Sequence, residues 1–190
     1  MNLLKCLQTD GVTILKERQE EEKDLQKVYE NGIPFLLDNE HEQIYFVKFA
    51  DEMPEIRTSF GDFLCFGKMG FEKIYFVISQ DGKVFKYDFC DDDTEQLVFA
   101  NSSLWDFVRS YSRLMAGIFM YKAFQSDNDF PIQKAVEQIA DFIQNLDPAA
   151  LEQEENFWPH QLFVLEDGFA HLAHNAVSRK IGMPKHNYEK

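Results

Sequence analysis

The residues that could bind a metal ion or catalyse a reaction fall into a few short stretches of this chain. His171 and His174 are three positions apart, and on a helix that spacing could place two imidazoles on one side of a metal ion. Glu166 and Asp167 lie nearby, but the stretch has few ligands and lacks the H-E-x-x-H pattern. We favour histidines that divide between surface and core, and keep as an alternative a hydrolase that uses His171 and His174.

A second candidate is the acidic run Asp91-Asp92-Asp93, with Asp88 before it and Glu95 after it. Its carboxylates could hold a hard cation, but the run lacks the glycine and the distal glutamate of a calcium loop. We favour a solvated turn between two strands and, after that, an acidic contact for a basic partner protein. The sequence therefore predicts no bound metal and no cofactor.

The common signatures of nucleotide binding and nucleophilic catalysis are missing. Gly61, Gly67 and Gly70 are spaced too widely for G-x-G-x-x-G, and neither G-K-[ST] nor G-x-S-x-G occurs. The three cysteines form no C-x-x-C and have no base beside them in the sequence, so a disulfide framework, a zinc site and a cysteine nucleophile are not indicated. We expect a protein that is not an enzyme.

Length and composition define the chain that must position these residues. Its 190 residues are 45% hydrophobic and 27% charged, with 19 phenylalanines, which is typical of a globular protein with an aromatic core. We predict a single domain over residues 1–168 and a C-terminal extension over 169–190, where a helix and a mobile basic tail are expected.

The net charge of −14 disfavours direct binding to nucleic acid, because a polyanion repels phosphate backbones. The same field attracts a cationic protein surface, although acidity could also serve only to keep the protein soluble. The sequence shows neither a secretory signal nor an apolar stretch long enough to span a membrane. We therefore expect a cytoplasmic protein without membrane contact.

Periodicity predicts helices at both ends of the chain and strands between them. A Glu- and Lys-rich helix is expected over 13–31, and Asp81-Gly82 predicts a hairpin turn between two antiparallel strands. Ser103 and Asp106 resemble a capping box before an amphipathic helix. The expected strands are 43–49, 62–66, 74–78, 84–89 and 97–99, and the later helices begin near Leu104, after Pro131 and at Phe157. Trp105 and Trp158 are expected in the core unless one is exposed in an acidic rim, where it would be an interface anchor.

Four blocks of sequence resemble the SUKH superfamily. They are 29–34, 61–67, the hairpin 81–84 and, most distinctive, 98–107, which reads Val-Phe-Ala-Asn-Ser-Ser-Leu-Trp-Asp-Phe. The last block resembles the signature of one bacterial branch, and the resemblance extends over roughly Tyr29 to Gly168, with Phe157-Trp158 similar to a late family motif.

The resemblance implies an α+β fold in which a mixed, largely antiparallel sheet is flanked by helices. It also implies immunity to a polymorphic toxin through an inhibitory protein complex, without catalytic residues. Glycines, the proline and the Asn-Ser-Ser run would then have structural roles in turns and caps. These residues are Gly32, Pro34, Gly67, Asn101, Ser102 and Ser103.

The leading hypothesis is a protein that binds and blocks a basic toxin domain, either a nuclease or a nucleic-acid deaminase. Its acidic surface would mimic the phosphate backbone that such a toxin binds, and the candidate contacts are Asp88, Asp91, Asp92, Asp93 and Glu95. The alternative is a non-catalytic regulatory or scaffold module that binds cellular proteins, for example in cell-wall signalling.

Overall fold

A computed structural model describes residues 2–17, 47–50, 53–69, 73–89, 94–124 and 132–167. Among these residues, no helix is both long enough and apolar enough to cross a membrane. The elements in chain order are α1 (Leu3–Asp10), β1 (Thr13–Lys16), β2 (Val47–Phe49), β3 (Glu55–Thr58), β4 (Gly61–Met69), β5 (Ile74–Ile78), β6 (Val84–Phe89), β7 (Glu95–Asn101), α2 (Leu104–Phe124), α3 (Ile132–Leu146), a 3₁₀ helix (Pro148–Leu151) and α4 (Phe157–Glu166).

The N-terminal part differs from the prediction. Residues 13–16 form the strand β1, not the first turn of a helix, and the rest of the predicted helix over 13–31 lies almost wholly outside the described residues. The helix lies earlier, where Asn2 caps the backbone N–H of Lys5 at 2.9 Å. Gly11 ends it with a φ of 83°, a conformation that favours glycine. The following Thr-Ile-Leu run suits a strand.

The described strands form one seven-stranded sheet in which every pairing is antiparallel. The order is β1-β3-β4-β5-β6-β7, and β2 also pairs with β4. β3 pairs with residues 61–64 of β4 and β2 with residues 67–69, so two short strands pair with different stretches of one long strand. The expected α+β class and largely antiparallel sheet are confirmed.

The predicted hairpin between β5 and β6 is confirmed. Ile78 pairs with Val84 across the turn, and the backbone N–H of Ser79 donates to the carbonyl of Lys83 at 2.9 Å. Gly82 has a φ of 85°, the left-handed conformation expected for the glycine of an Asp-Gly hairpin turn.

The two faces of the sheet carry separate cores because successive side chains on a strand point to opposite sides. Phe76 faces the helical side, where its ring lies 5.0 Å from Phe107 of α2. Tyr75, its neighbour in β5, lies on the other side in a core that includes Leu3 and Leu7 of α1. The aromatic core expected from the composition is therefore present, with α1 covering one face and α2, α3 and α4 the other.

The predicted helices α2, α3 and α4 are confirmed. The hydroxyl of Ser103 accepts from the Asp106 N–H at 3.1 Å and donates to its carboxylate at 2.7 Å, so the cap begins α2 as predicted. Along α2, Phe107, Val108 and Tyr111 are buried. The buried residues of α3 are Ala135, Ile139 and Ile143, and Pro148 follows its end as expected.

Candidate functional site

A cavity of about 320 Å³ lies between α4 and the sheet. Ile74, Lys86 and Val98 line it from three neighbouring strands, while Phe157 and Val164 line it from α4. The strand register brings Ile74, Lys86 and Val98 together. Lys86 pairs with Val98, and Ile74 pairs with Asp88, two residues after Lys86 on the same face of β6. The volume is at the lower end of the range for ligand pockets, ~300–1,000 Å³, and suits a single side chain or a small molecule.

The entrance to the cavity is acidic. Glu154 and Glu155 line the cavity and are exposed, and neither forms an ion pair within the described part of the chain. Among the described residues of the lining, Lys86 is the one positive side chain, and its ammonium lies 3.6 Å from the carboxylate of Asp88. Because Asp88 offsets the charge of Lys86, Glu154 and Glu155 leave the region negative. We call Asp88, Glu154 and Glu155 the acidic rim.

Two residues of the acidic rim, Glu154 and Glu155, belong to a longer acidic segment that was not predicted from the sequence. Residues 135–167 contain no lysine and no arginine. This absence over so long a stretch is the sequence signal that could have found the surface. Seven of the eight acidic side chains in the segment are exposed, and the full set is Glu137, Asp141, Asp147, Glu152, Glu154, Glu155, Glu166 and Asp167.

The structure does not bring the predicted acidic contacts together. Asp88 pairs with Gln96, and Phe89 pairs with Glu95, so the side chains of Asp88 and Glu95 point to opposite faces of the sheet. Asp88 lies on the face of the cavity. The run Asp91-Asp92-Asp93 between them lies outside the described residues.

Glu95 makes contacts within the fold. Its carboxylate accepts from both the backbone N–H and the hydroxyl of Ser59, each at 2.6 Å, in the turn between β3 and β4. Tyr87 lies on the same face, where burial and the neighbouring Glu95 raise the pKa of its phenol. Glu95 therefore joins the start of β7 to the β3–β4 turn.

The Asn-Ser-Ser run forms a buried hydrogen-bond network with two later elements. Asn101 donates its side-chain amide to Asp147 at 2.9 Å and accepts from the indole N–H of Trp158 at 2.7 Å. Asp147 also accepts from the Ser102 backbone N–H at 2.7 Å and hydroxyl at 2.9 Å. The network joins the end of β7 to the ends of α3 and α4, and so fixes the helix that forms one wall of the cavity.

The remaining residues of the predicted motif are placed differently. Gly67 is buried inside β4, where the register with β5 shifts between Cys65 and Gly67. The expectation that it lies in a turn is wrong, because β4 continues to Met69 and pairs there with β2. Gly32 and Pro34 lie outside the described residues.

The two tryptophans differ in environment. Trp158 is fully buried and confirms the expected core position, with its ring 5.7 Å from that of Phe107. Trp105 is 45% exposed in the first turn of α2, because it falls outside the apolar stripe of that helix. Its expected place in the core is wrong.

A second polar cluster lies beneath α1. Lys68 is buried and donates to the carboxylate of Asp10 at 2.8 Å, and the hydroxyl of Tyr75 donates to the same oxygen. Burial raises the pKa of Asp10, but the hydrogen bonds from Lys68 and Tyr75 outweigh it and hold that pKa below its ordinary value. The cluster is a partly buried ion pair that joins α1 to β4 and β5.

The described residues offer no chemical centre of the kinds considered from the sequence. They contain no group of three or more His, Cys, Asp or Glu side chains that could hold a metal ion. Burial raises the pKa of the Cys65 thiol to about 12, so it is not a thiolate nucleophile at neutral pH. His171 and His174 lie outside this part of the chain.

Comparison with known proteins identifies the family. The SUKH-4 immunity protein model matches residues 30–167, a range that includes the Asn-Ser-Ser network and the cavity. Searches of curated proteins and of solved structures found no match. Since the family model covers more than half of the chain, the protein belongs to the SUKH-4 immunity protein family, whose role is immunity to a toxin protein.

Proposed function

We propose that this protein neutralises a basic toxin domain, a nuclease or a nucleic-acid deaminase, by binding it through the acidic rim and covering its nucleic-acid site. The family supplies the general immunity role. The observation that supports the finer statement is the concentration of exposed, unneutralised carboxylates beside a cavity. On this proposal the protein inhibits the toxin by covering its nucleic-acid site and catalyses no reaction on it.

The physical basis is electrostatic mimicry. An enzyme that acts on nucleic acid binds the phosphate backbone through lysine and arginine side chains. The segment 135–167 presents seven exposed carboxylates without a single lysine or arginine among them, and a net charge of −14 steers a basic domain toward the protein from a distance. Carboxylates held on α3, α4 and their connection can therefore compete with phosphates for the same basic groups.

Asp91, Asp92 and Asp93 are proposed as part of the same surface. In the sequence they lie between Cys90 and Thr94, and Asp88 near the end of β6 belongs to the acidic rim. Glu95 points to the other face and is bound to Ser59, so its proposed contribution to the toxin contact is the weakest of the five.

The test begins with a tagged pull-down from the native cells at low and then moderate salt, followed by mass spectrometry. A captured nuclease or deaminase domain is purified and assayed with and without an equimolar amount of this protein. We expect inhibition, competition between the protein and an oligonucleotide for the toxin, and binding that weakens steeply with salt.

Two outcomes would contradict the proposal. A toxin that stays fully active in the complex would show that the nucleic-acid site is not covered. Reproducible capture of cellular regulatory or envelope-synthesis proteins alone, from cells shown to express a toxin, would favour the regulatory or scaffold module.

A further inference from the structure

We propose that the cavity beneath α4 is an anchor pocket that receives one apolar side chain of the toxin, aromatic or aliphatic, flanked by basic residues that contact the acidic rim. The inference rests on the proposed function and adds the chemistry of the contact at its centre. It assigns the cavity to a protein side chain and not to a metabolite or cofactor.

The lining of the cavity fits an apolar group. Met69, Ile74 and Val98 line it from the sheet and Phe157 and Val164 from α4, so most of its wall is hydrocarbon. A concave apolar site of this size resembles the pockets that receive the central side chains of protein interfaces, which contribute most of the binding free energy.

The lining and the charges of the cavity exclude the other common occupants. Asp88 offsets the charge of Lys86, so the cost of inserting a lysine or arginine comes from the mostly hydrocarbon wall, against which the charged group would lose its hydration. Glu154 and Glu155 line the cavity as well, and they repel a carboxylate or a phosphate. A neutral side chain satisfies both conditions, whereas basic groups are favoured just outside, at the exposed glutamates.

The surface next to the cavity continues the apolar contact. Phe163 is 60% exposed on α4, next to Val164 and three positions after His160, and both of these residues line the cavity. Positions three apart on a helix are neighbours on its surface, so Phe163 adds an exposed apolar side chain next to the entrance of the cavity. The apolar pocket and the exposed Phe163 beside it, with the acidic rim around them, match the usual arrangement of a protein interface, which has an apolar centre and a polar edge.

The pocket is also held in place before binding. α4 is fixed by the hydrogen bond of Trp158 to Asn101, which is itself bonded to Asp147. A wall whose position is set by buried hydrogen bonds loses little freedom when a partner binds, and that favours affinity.

The first test uses three short peptides as probes, followed by methyl NMR of the full chain. Acetyl-Lys-Phe-Arg-amide is expected to shift the methyl signals of Ile74, Val98 and Val164. Acetyl-Lys-Gly-Arg-amide, which lacks the apolar group, and acetyl-Glu-Phe-Glu-amide, which has the wrong flanks, are expected to bind at least roughly tenfold more weakly.

Variants then locate the site. Val164→Trp fills the cavity and Gln161→Trp blocks its entrance, and each is expected to weaken binding of acetyl-Lys-Phe-Arg-amide by roughly tenfold. Gln138→Trp places the same side chain on an exposed position of α3 and is expected to bind as the unchanged protein does. Gln161→Trp keeps the test decisive if Val164→Trp fails to fold, because Gln161 is only partly buried.

Three experimental results would each overturn the assignment of the cavity to a toxin side chain. Peptide shifts that map away from the cavity, or unchanged binding by both cavity variants, would contradict it. So would nuclear Overhauser effects from residues 169–190 to the methyl groups of Ile74 or Val98 in the free protein, since these would identify the chain's own C-terminal segment as the occupant.

The captured toxin separates this inference from the proposed function. If Glu154→Lys/Glu155→Lys loses toxin binding while Val164→Trp and Gln161→Trp retain it, the anchor pocket is wrong and the acidic surface stands. If the unchanged protein does not inhibit the toxin, the proposed function fails whatever the peptides show. An increased dissociation rate for Val164→Trp with an unchanged salt dependence supports both.

Discussion

Asn101 and Asp147 are 46 positions apart in the chain, and their side chains are joined by a buried hydrogen bond of 2.9 Å. Each residue lies at the end of an element, since Asn101 is the last residue of β7 and Asp147 lies between the end of α3 and the 3₁₀ helix. The same carboxylate accepts twice from Ser102, so each of its oxygens is satisfied in a buried setting. The Asn-Ser-Ser run thus connects the sheet to the C-terminal helices, which is a structural explanation for that motif.

This network predicts unequal effects for two substitutions of Asp147. Asp147→Ala leaves the buried Asn101 amide and the Ser102 N–H without an acceptor, and we expect a loss of about 2–4 kcal/mol in the free energy of unfolding. Asp147→Asn keeps one acceptor oxygen, and the Ser102 hydroxyl can turn to accept from the new amide, so the expected loss is about 1 kcal/mol. Urea unfolding measures both.

Glu152→Ala is the control, because Glu152 is an exposed acid in the same connection. Its effect is expected to stay within about 0.5 kcal/mol. Equal losses for Asp147→Ala and Glu152→Ala would contradict the role assigned to the network.

The ion pair of Lys68 and Asp10 predicts a specific pH dependence. The pKa of Asp10 in the folded protein lies below its ordinary value of 3.8, so its contribution to stability is complete above that value and is lost as the pH falls through the lower folded pKa. At neutral pH, Asp10→Asn leaves Lys68 buried without its carboxylate, and we expect a loss of about 2–4 kcal/mol.

The measurement is urea unfolding of both proteins from neutral pH down to about pH 3. The difference between the unchanged protein and Asp10→Asn should shrink as the acid limit is approached. A difference that stays constant over this range would show that the ionised carboxylate of Asp10 does not stabilise the fold.

Glu95 and Asp88 are expected to separate fold stability from toxin binding. Glu95→Ala removes the acceptor of two hydrogen bonds from the exposed Ser59, where water can replace it, so a loss of about 1 kcal/mol in stability and little change in toxin affinity are expected. Asp88→Asn removes a charge of the acidic rim and should lower the association rate. Binding kinetics on immobilised toxin and thermal unfolding together distinguish the effects of Glu95→Ala and Asp88→Asn. A large loss of affinity in Glu95→Ala would show that Glu95 does contact the toxin.

Charge reversal tests the acidic surface directly. Reversing Asp91, Asp92 and Asp93 to lysine is expected to weaken toxin binding at least roughly tenfold, mainly through the association rate. Glu154→Lys/Glu155→Lys should act in the same direction and also lower the salt dependence. Unchanged affinity in the variant with Asp91, Asp92 and Asp93 reversed would show that these aspartates do not contact the toxin, and the proposed contact surface would then retain Glu154 and Glu155.

The matched control for the glutamate pair is Glu137→Lys/Asp141→Lys. It makes the same change in net charge on exposed positions of α3, neither of which lines the cavity. A smaller effect of this control would show that the position of the charge matters beyond its amount.

Gly117 predicts a packing constraint between α2 and α3. A Cβ atom at this position would lie 2.5 Å from Cδ1 of Ile139, so Gly117→Ala gains helix propensity of about 1 kcal/mol but introduces a clash of about 1–3 kcal/mol. We expect a net loss of stability in Gly117→Ala and a recovery in Gly117→Ala/Ile139→Val, which removes Cδ1. Additive effects in the double-mutant cycle would contradict the contact.

The sequence predicted the elements whose signals are local. The apolar stripes of α2 and α3 and the Asp81-Gly82 turn depend on neighbouring residues, and all three are confirmed. β3 was missed because Glu55-Ile56-Arg57-Thr58 offers a single large apolar side chain, Ile56, which is fully buried. Its strand identity comes from pairing on both edges, with β1 and with β4.

The candidate site depended on information that is not local. Asp88 and Glu95 are close in the sequence, but the register of β6 and β7 sends their side chains to opposite faces, and that register cannot be read from charge spacing. The cavity requires α4 to lie against strands far from it in the chain. The acidic character of 135–167, in contrast, was readable from the absence of lysine and arginine.

The order of the strands has a consequence for how the molecule folds. From β3 to β7 each strand pairs with the next one along the chain, so this meander can form through contacts of short sequence separation, which are the fast ones. β1 instead pairs with β3, with Thr13 opposite Arg57, and must close a long loop first. We therefore expect the meander to form early as a cooperative unit and α1 and β1 to join late. In hydrogen exchange, α1 and β1 should be the first elements to open.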